Sequence, residues 1–332
     1  MFNFIGARHE TALATAREFL DLARAQNDPS AIVALGALGR STLSLGRVTE
    51  ADAYCAQIEA LYDPELHRPL TLSYGGDPGA RNSTYGSWAA WLLGCPDRAL
   101  ARSRKGIAVA REASHSFTLA YVLGIAACFQ QMRRDAAAAR KSADAAVALT
   151  TELEIRFWRG CAIAPQGWAL AEDGQVGEGI ARVQEGLDAQ RATGALMGRP
   201  YGLSVLAELQ GRAGRIDDAL SGLDEALRLI GETGEAYYEP EAHRLKGDLL
   251  LRRGGAPGEA EACFGRAIEA AGQQGSRLLE LRGATSLGRL WRGKGRSAEA
   301  HALLAPIYGG FTEGLDILDL QEARALLDDT RA

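Results

Sequence analysis

One short pattern returns along the whole chain at a nearly constant interval, and this repetition limits the fold more than any other feature. A small residue opens a helical stretch at eight positions: Ala12, Ala51, Ala99, Ala138, Gly179, Ala219, Ala260 and Ala300. The intervals between them are 39, 48, 39, 41, 40, 41 and 40 residues. Repetition at such an interval is typical of stacked helical units, each of which buries its apolar face against its neighbours.

A second series of small residues lies seven or eight positions before each turn between helices. It consists of Gly39, Ser87, Ala126, Gly167, Ala207, Gly247 and Gly288. Two antiparallel helices need small residues where their backbones approach closely, and a mid-helix glycine otherwise costs about 1 kcal/mol relative to alanine. We therefore assign these glycines a structural role. The two series predict turns near Gly46, Gly94, Arg133, Gly174, Gly214, Gly255 and Gly295.

Abundant Ala, Leu, Arg and Glu, with only 7% aromatic residues, favour helix over sheet. The predicted fold is an all-α superhelix of about seven to eight repeats of 40 residues, forming a single domain over residues 1–332. A first helix is expected from His9 to Gln26, with Ser30 as the candidate N-cap of the next. Helix pairs follow at 30–61, 79–113, 117–151, 156–192, 199–231, 237–273 and 277–308, and a capping helix at 316–329. Residues 62–80 are rich in Pro and Gly and are expected to form an inserted loop.

Several classes of function lack their usual sequence signals. The net charge is −5 and no basic stripe is present, which disfavours nucleic acid as a partner. No apolar run approaches the roughly 18 residues that span a bilayer, so no membrane association is expected. The five cysteines are scattered, and neither they nor the five histidines have metal-ligand spacing. We expect a cytoplasmic protein with no catalytic residues, no metal and no cofactor.

The alternation of small residues and turns resembles the tetratricopeptide repeat, with a period near 40 rather than 34 residues. Two segments, YGGDPGARNSTYGSWAAWLLGCPDRALARS and LLAPIYGGFTEGLDILDLQEARALL, carry a more specific resemblance than the repeat pattern does. The chain resembles, over residues 10 to 328, the C-terminal tetratricopeptide region of bacterial class III adenylate or guanylate cyclase–ATPase signalling proteins. This resemblance implies an interaction region of a signalling protein. The cyclase and ATPase domains of that family have no counterpart here, so it supplies no catalytic residue.

Inner positions of the first helix of each repeat form the concave groove in tetratricopeptide arrays. Arg40 occupies such a position, and the candidate binding residues are Arg81, Thr84, Trp88, Trp91, Gln130, Trp168, Tyr201, Glu208, Arg244, Asp248, Arg282, Arg289 and Arg292. Aromatic and Arg side chains anchor interfaces, and Arg forks suit carboxylates. Filling of gaps between helices is the alternative role for Trp88 and Trp91.

Two functions remain open at this point. The first is a non-catalytic scaffold whose groove binds a protein or peptide segment, in particular an acidic segment at Arg282, Arg289 and Arg292. The second is a small-molecule sensor with a ligand pocket near Trp88, Trp91 and Trp168. The sequence indicates neither the identity of the partner nor the oligomeric state.

Overall fold

Helices are the regular secondary structure of residues 2–330, the part of the chain that this computed structural model describes, and no strand occurs in that range. The nineteen helices are α1 (Phe2–Ile5), α2 (His9–Ala25), α3 (Ala31–Ser44), α4 (Val48–Leu61), α5 (Pro64–His67), α6 (Leu70–Tyr74), α7 (Pro78–Leu92), α8 (Pro96–Glu112), α9 (Ser116–Met132), α10 (Ala136–Glu152), α11 (Arg156–Glu172), α12 (Val176–Ala192), α13 (Arg199–Arg212), α14 (Ile216–Thr233), α15 (Glu239–Arg253), α16 (Pro257–Gln274), α17 (Arg277–Gly293), α18 (Ser297–Tyr308) and α19 (Leu318–Thr330).

The predicted helix pairs are confirmed. Seven consecutive pairs run from α3/α4 and α7/α8 through α17/α18, with α2 before them and α19 after them. The turns inside the pairs fall where the small residues predict them. Gly46, Gly174 and Gly214 adopt φ of 74°, 87° and 78°, the left-handed region that glycine tolerates best. Arg134 takes the same conformation in the third turn, with φ of 62°.

The two series of small residues meet at the crossing points of paired helices. A Cβ atom on Gly167 of α11 would lie 2.6 Å from the carbonyl oxygen of Gly179 in α12. The reverse addition, on Gly179, would place a Cβ 2.5 Å from the carbonyl oxygen of Gly167. These distances are far below van der Waals contact, so the backbones touch and only glycine fits.

Two local expectations need correction. Residues 62–80 are not one loop, because α5 and α6 lie within them and α7 already begins at Pro78. Pro64 and Pro78 each occupy the first helical turn, and the preceding Asp63 and Asp77 accept hydrogen bonds from backbone N–H groups, an arrangement that starts helices.

The other correction concerns Ser30, which lies at the N-cap position of α3 but whose side chain makes no capping hydrogen bond. The Asp28 carboxylate instead accepts from the Ser30 N–H at 2.7 Å.

Segments far apart in the sequence meet as the superhelix winds. The Ser44 carbonyl accepts a hydrogen bond from the Ala236 N–H at 2.8 Å. The Gly314 N–H donates to the carboxylate of Asp97, 217 positions away, at 3.2 Å. Such separations correspond to about five 40-residue repeats per superhelical turn. The second turn therefore packs directly against the first.

This closure decides which helices form the core. Every residue of the inner helix α7 is buried, from Pro78 to Leu92. The outer helix α14 buries only one stripe, which includes Ala219, Leu223 and Ala226. The inner helices are thus covered on both sides, by their own partners and by the next superhelical turn.

Candidate binding site on the inner surface

The inner helices carry all thirteen predicted groove residues, but seven of these residues are buried. The buried ones lie on α7, α9, α11 and the start of α13: Arg81, Thr84, Trp88, Trp91, Gln130, Trp168 and Tyr201. The expectation that they are open to a partner is therefore corrected. The repeat pattern identifies the inner face, but the closing of the superhelix covers it.

Trp88 shows how later repeats cover the inner face of earlier ones. Its indole ring lies against Tyr237, with ring centroids 5.4 Å apart, and its Nε1–H donates to the Ile125 carbonyl at 3.3 Å. The Tyr201 hydroxyl of α13 donates to Gln131 Oε1 of α9 at 2.9 Å and so links nearby repeats. These contacts fix the side chains in the core, where aromatic pairs contribute beyond their buried area.

Trp91 and Trp168 are also core residues. Trp91 is fully buried and packs edge-on against Phe129, with ring centroids 6.0 Å apart. Trp168 is 2% exposed and forms part of the wall of a polar cavity of about 220 Å³. A second internal cavity, beside Trp88, measures about 50 Å³. Both volumes are below the roughly 300 Å³ of a typical ligand pocket.

The tyrosines that cover this surface are absent from the predicted site. Tyr237 and Tyr238 precede α15, and both are buried. Tyr238 packs edge-on against Tyr201, with ring centroids 5.1 Å apart. A pair of adjacent aromatics in a chain with only 7% aromatic residues is the one sequence signal that points to them.

Arg282 lies in a network of charges at the centre of the molecule. It donates to both carboxylate oxygens of Asp319 in α19, at 2.9 and 3.0 Å, and to the Met132 carbonyl at 2.6 Å. Its Nη1 lies 3.6 Å from Glu241. Burial opposes ionisation of Glu241, but the charges of Arg244 and Arg282 outweigh it and lower the pKa of this carboxyl to about 2.

The other two arginines of the predicted acidic-segment site also pair with α19. Arg289 Nη2 lies 2.9 Å from Glu322, and Arg292 Nη1 lies 2.5 Å from Asp329. Unlike Arg282, both arginines are largely exposed. The acidic segment nearest to the three arginines is thus the capping helix of the same chain.

An open cleft remains on the inner side of the C-terminal half. It has a volume of about 530 Å³ and lies between α13, α15 and α17. Its lining includes Glu208, Arg212, Arg244, Leu245, Asp248, Leu249, Ser286, Arg289 and Leu290. Arg244 donates to Asp248 at 2.5 Å and to Glu241 at 2.6 Å, so the guanidinium is held in place. Charged side chains at the rim therefore surround a leucine floor.

Burial shifts the pKa values of several cysteine and histidine side chains. In the described part of the chain, no three His, Cys, Asp or Glu side chains are arranged to hold a metal ion. Burial raises the pKa of the Cys55 and Cys128 thiols to about 12, so both stay protonated at neutral pH. Burial lowers the pKa of His243 to about 4, and nearby positive charges add to this effect. No helix of residues 2–330 is long and apolar enough to cross a membrane.

Comparison with known proteins places this geometry among helical repeats. No family model matches the chain. An uncharacterized protein of Rhizobium meliloti (strain 1021) is 30% identical over 250 residues. The match covers 74% of this chain but only 24% of that protein, so the chain corresponds to about a quarter of its relative.

Several solved structures share the architecture. A Rap protein complexed with Competence and Sporulation Factor aligns with a TM-score of 0.59 at 10% identity, covering 98% of both chains. The Cut9–Hcn1 assembly of the APC/C aligns with a TM-score of 0.55 at 13% identity, covering 87% of this chain and 47% of the other. An IFIT1 monomeric mutant aligns with a TM-score of 0.52 at 15% identity, covering 98% of this chain and 68% of the other. The fold is a tetratricopeptide-like solenoid.

Proposed function

We propose that this solenoid is a non-catalytic recognition scaffold that binds an acidic segment of a partner protein. The observation that carries the proposal is the open cleft between α13, α15 and α17, with its volume of about 530 Å³. It is the part of the predicted groove where charged side chains stay accessible: Arg289 is 48% exposed and Asp248 is 39% exposed. The tryptophans of the predicted groove, Trp88, Trp91 and Trp168, are buried and offer no such access.

The arginines of the cleft are its donors for an acidic partner. Four of them line the cleft (Arg212, Arg244, Arg252 and Arg289), beside the carboxylates of Glu208 and Asp248. Glu172, Glu241 and Glu322 also pair with these arginines, so an acidic segment competes with them for the guanidinium groups. Arg212 contacts both Glu172 and Glu208 at 2.5 Å, so its guanidinium is already oriented. Because the guanidinium forks are held in place before binding, less side-chain freedom is lost when a carboxylate arrives.

Leucines supply the rest of the binding surface. Leu245 and Leu249 are buried in the cleft floor, and Leu290 is partly buried beside them. Interfaces commonly combine an apolar centre with a polar rim. A segment that alternates acidic and apolar residues fits this arrangement.

Solved structures with the same fold support a role in binding other molecules. Two solenoids of the same architecture were solved as complexes, one with Competence and Sporulation Factor and one as the Cut9–Hcn1 assembly. These complexes belong to those proteins and support, by analogy of fold, a binding role here.

We place the scaffold in the cytoplasm, within a larger bacterial signalling protein. The Rhizobium relative is about four times as long as the matching stretch, which fits a module of a longer chain. The five cysteines of the present chain are free thiols, which fits a reducing compartment. A cyclase–ATPase association rests on the sequence resemblance alone, and the coding sequence around this stretch tests it.

Binding of a labelled short peptide of alternating Glu and Leu tests the proposed cleft. We expect saturable binding that weakens as salt increases, because exposed charges are screened beyond about 10 Å at 0.1 M salt. Arg289→Gln should weaken binding by up to about fivefold, since an exposed ion pair contributes about 0.2–1 kcal/mol. Combining it with Arg212→Gln should weaken binding further.

The matched control is Arg228→Gln on the outer helix α14. Arg228 is exposed, and it pairs with Glu232 one turn away at 2.5 Å, so the substitution removes a similar surface charge far from the cleft. It should leave the affinity unchanged. Equal loss in Arg228→Gln and Arg289→Gln, or equal affinity for a peptide with Gln in place of Glu, would contradict the proposal.

A further inference from the structure

A separate pocket near the start of the chain contains two arginines and no carboxylate. It has a volume of about 560 Å³ and lies between α1, α2, α3, α6 and α7. Arg40 and Arg81 line it, and no Asp or Glu belongs to its wall among the described residues. It is distinct from the C-terminal cleft and shares no residue with it.

Arg81 is buried without an ionic partner. It is 7% exposed, and its only hydrogen bond from the guanidinium goes to the Tyr74 carbonyl at 3.3 Å, among the described residues. The guanidinium carbon lies 5.0 Å from the centre of the Tyr121 ring. Its Nε is buried and has no hydrogen-bond partner in the described structure.

Arg40 is still less satisfied. Its guanidinium lies 5.8 Å from the Phe4 ring and 6.0 Å from the Tyr85 ring. It donates no hydrogen bond to any described residue, and its Nε is buried. Burial lowers the pKa of Arg40 to about 10, and the positive charge of Arg81 lowers it further in the same direction.

Other buried arginines of this chain have carboxylate partners. Arg102 contacts Asp52 and Glu59, Arg199 contacts Glu225, and Arg282 contacts Asp319. A buried charge without a partner is strongly unfavourable, and two like charges in one pocket add repulsion. Arg40 and Arg81 therefore lack the anionic partner that these other arginines have.

We propose that the Arg40–Arg81 pocket binds a small organic acid, with the carboxylate between the two guanidinium groups and an apolar body against the aromatic wall. Guanidinium forks match the geometry of a carboxylate. The volume of about 560 Å³ lies within the range of ligand pockets.

The wall determines the kind of acid. Phe4, Phe19, Val33 and Ala37 line much of the pocket, so an aliphatic or aromatic body would bury apolar surface there. A free phosphate ion would leave these residues uncovered. Thr15 and Ser73 are exposed at the edge of the pocket, which gives a ligand of this size a route from solvent.

Thermal unfolding of the whole chain with 3-phenylpropionate and with octanoate tests the proposal. Either acid at millimolar concentration should raise the melting temperature in a saturable way, since a ligand that binds only the folded state stabilises it. The corresponding amides and inorganic phosphate should have little effect. In Arg81→Met, the dissociation constant of the acid should rise about tenfold or more, because a hydrogen bond to a charged group is lost.

The melting temperature of the ligand-free variants gives a second test, because an Arg40 that only stabilised the fold would lower it when replaced. Arg40→Met should melt at the same temperature as the wild type or higher, because an uncompensated charge is removed. The matched control, Arg102→Met, should melt lower because Asp52 and Glu59 lose their partner.

Three results would overturn the proposal. One is the absence of a saturable shift with both acids. Another is a ligand-induced shift in Arg40→Met and Arg81→Met that is as large as the shift in the wild type. Stabilisation only by a peptide with a free C-terminal carboxylate would contradict the assignment of a small molecule.

Discussion

The close contact between α11 and α12 yields a prediction with a definite sign. Replacing Gly167 by Ala adds a Cβ atom 2.6 Å from the Gly179 carbonyl oxygen and 2.7 Å from Val183 Cγ2. The nearest neighbour is backbone, which cannot rotate away as a flexible side chain does. The two helices must therefore separate, and their packing is lost locally.

The size of the effect follows from two opposing terms. Gly to Ala in a helix interior gains about 1 kcal/mol from intrinsic propensity. Overpacking costs about 1–3 kcal/mol, and a backbone contact belongs at the upper end of that range. Gly167→Ala should therefore lower the free energy of unfolding by about 2 kcal/mol.

Gly265→Ala in α16 is the matched control. An added Cβ at Gly265 meets no atom within 4 Å, so only the propensity gain remains and the variant should be about 1 kcal/mol more stable. Urea unfolding followed by circular dichroism should place the midpoints of the two variants on opposite sides of the wild type. A Gly167→Ala midpoint at or above the wild type would refute the argument from close packing.

Two further predictions concern the charges around the capping helix. Asp319→Ala should destabilise the chain by about 3 kcal/mol, because the buried Arg282 loses the carboxylate that accepts two of its hydrogen bonds and keeps only Glu241 nearby. Asp329→Ala breaks an exposed pair and should cost at most about 1 kcal/mol. Equal urea midpoints for the two variants would contradict this assignment. The folded pKa of Glu241, about 2, lies below its ordinary value of 4.5, so its contribution to stability is complete above pH 4.5 and is lost as the pH falls towards about 2. Glu241→Gln should flatten the stability profile in this window, and an unchanged profile would rule out the stated cause.

The helix pairs could be predicted from the sequence because their signals are local. Small residues such as Gly167 and Gly179 mark a crossing within one pair, about 12 residues apart in the chain. The winding of the whole array depends instead on a small rotation added at every repeat. No pattern within a single repeat predicts the total rotation of the array.

The candidate site shows the consequence of this difference. The repeat register predicts that Trp88 lies on the inner face, but Tyr237, 149 positions further along the chain, packs against it and covers it. The partner of Arg282 lies outside its own helix pair, since Asp319 is 37 positions further along the chain in the capping helix. The sequence also could not predict that Arg40 has no carboxylate partner, because this depends on which side chains of other helices lie around it.

Quenching of tryptophan fluorescence by succinimide tests the closed inner surface most directly. Four of the five tryptophans are at most 6% exposed, namely Trp88, Trp91, Trp158 and Trp168, and Trp291 alone is only partly buried. The Trp291→Phe variant should therefore emit light that is almost insensitive to the quencher. Strong quenching of this variant, as from tryptophans in an open groove, would contradict the closed superhelix.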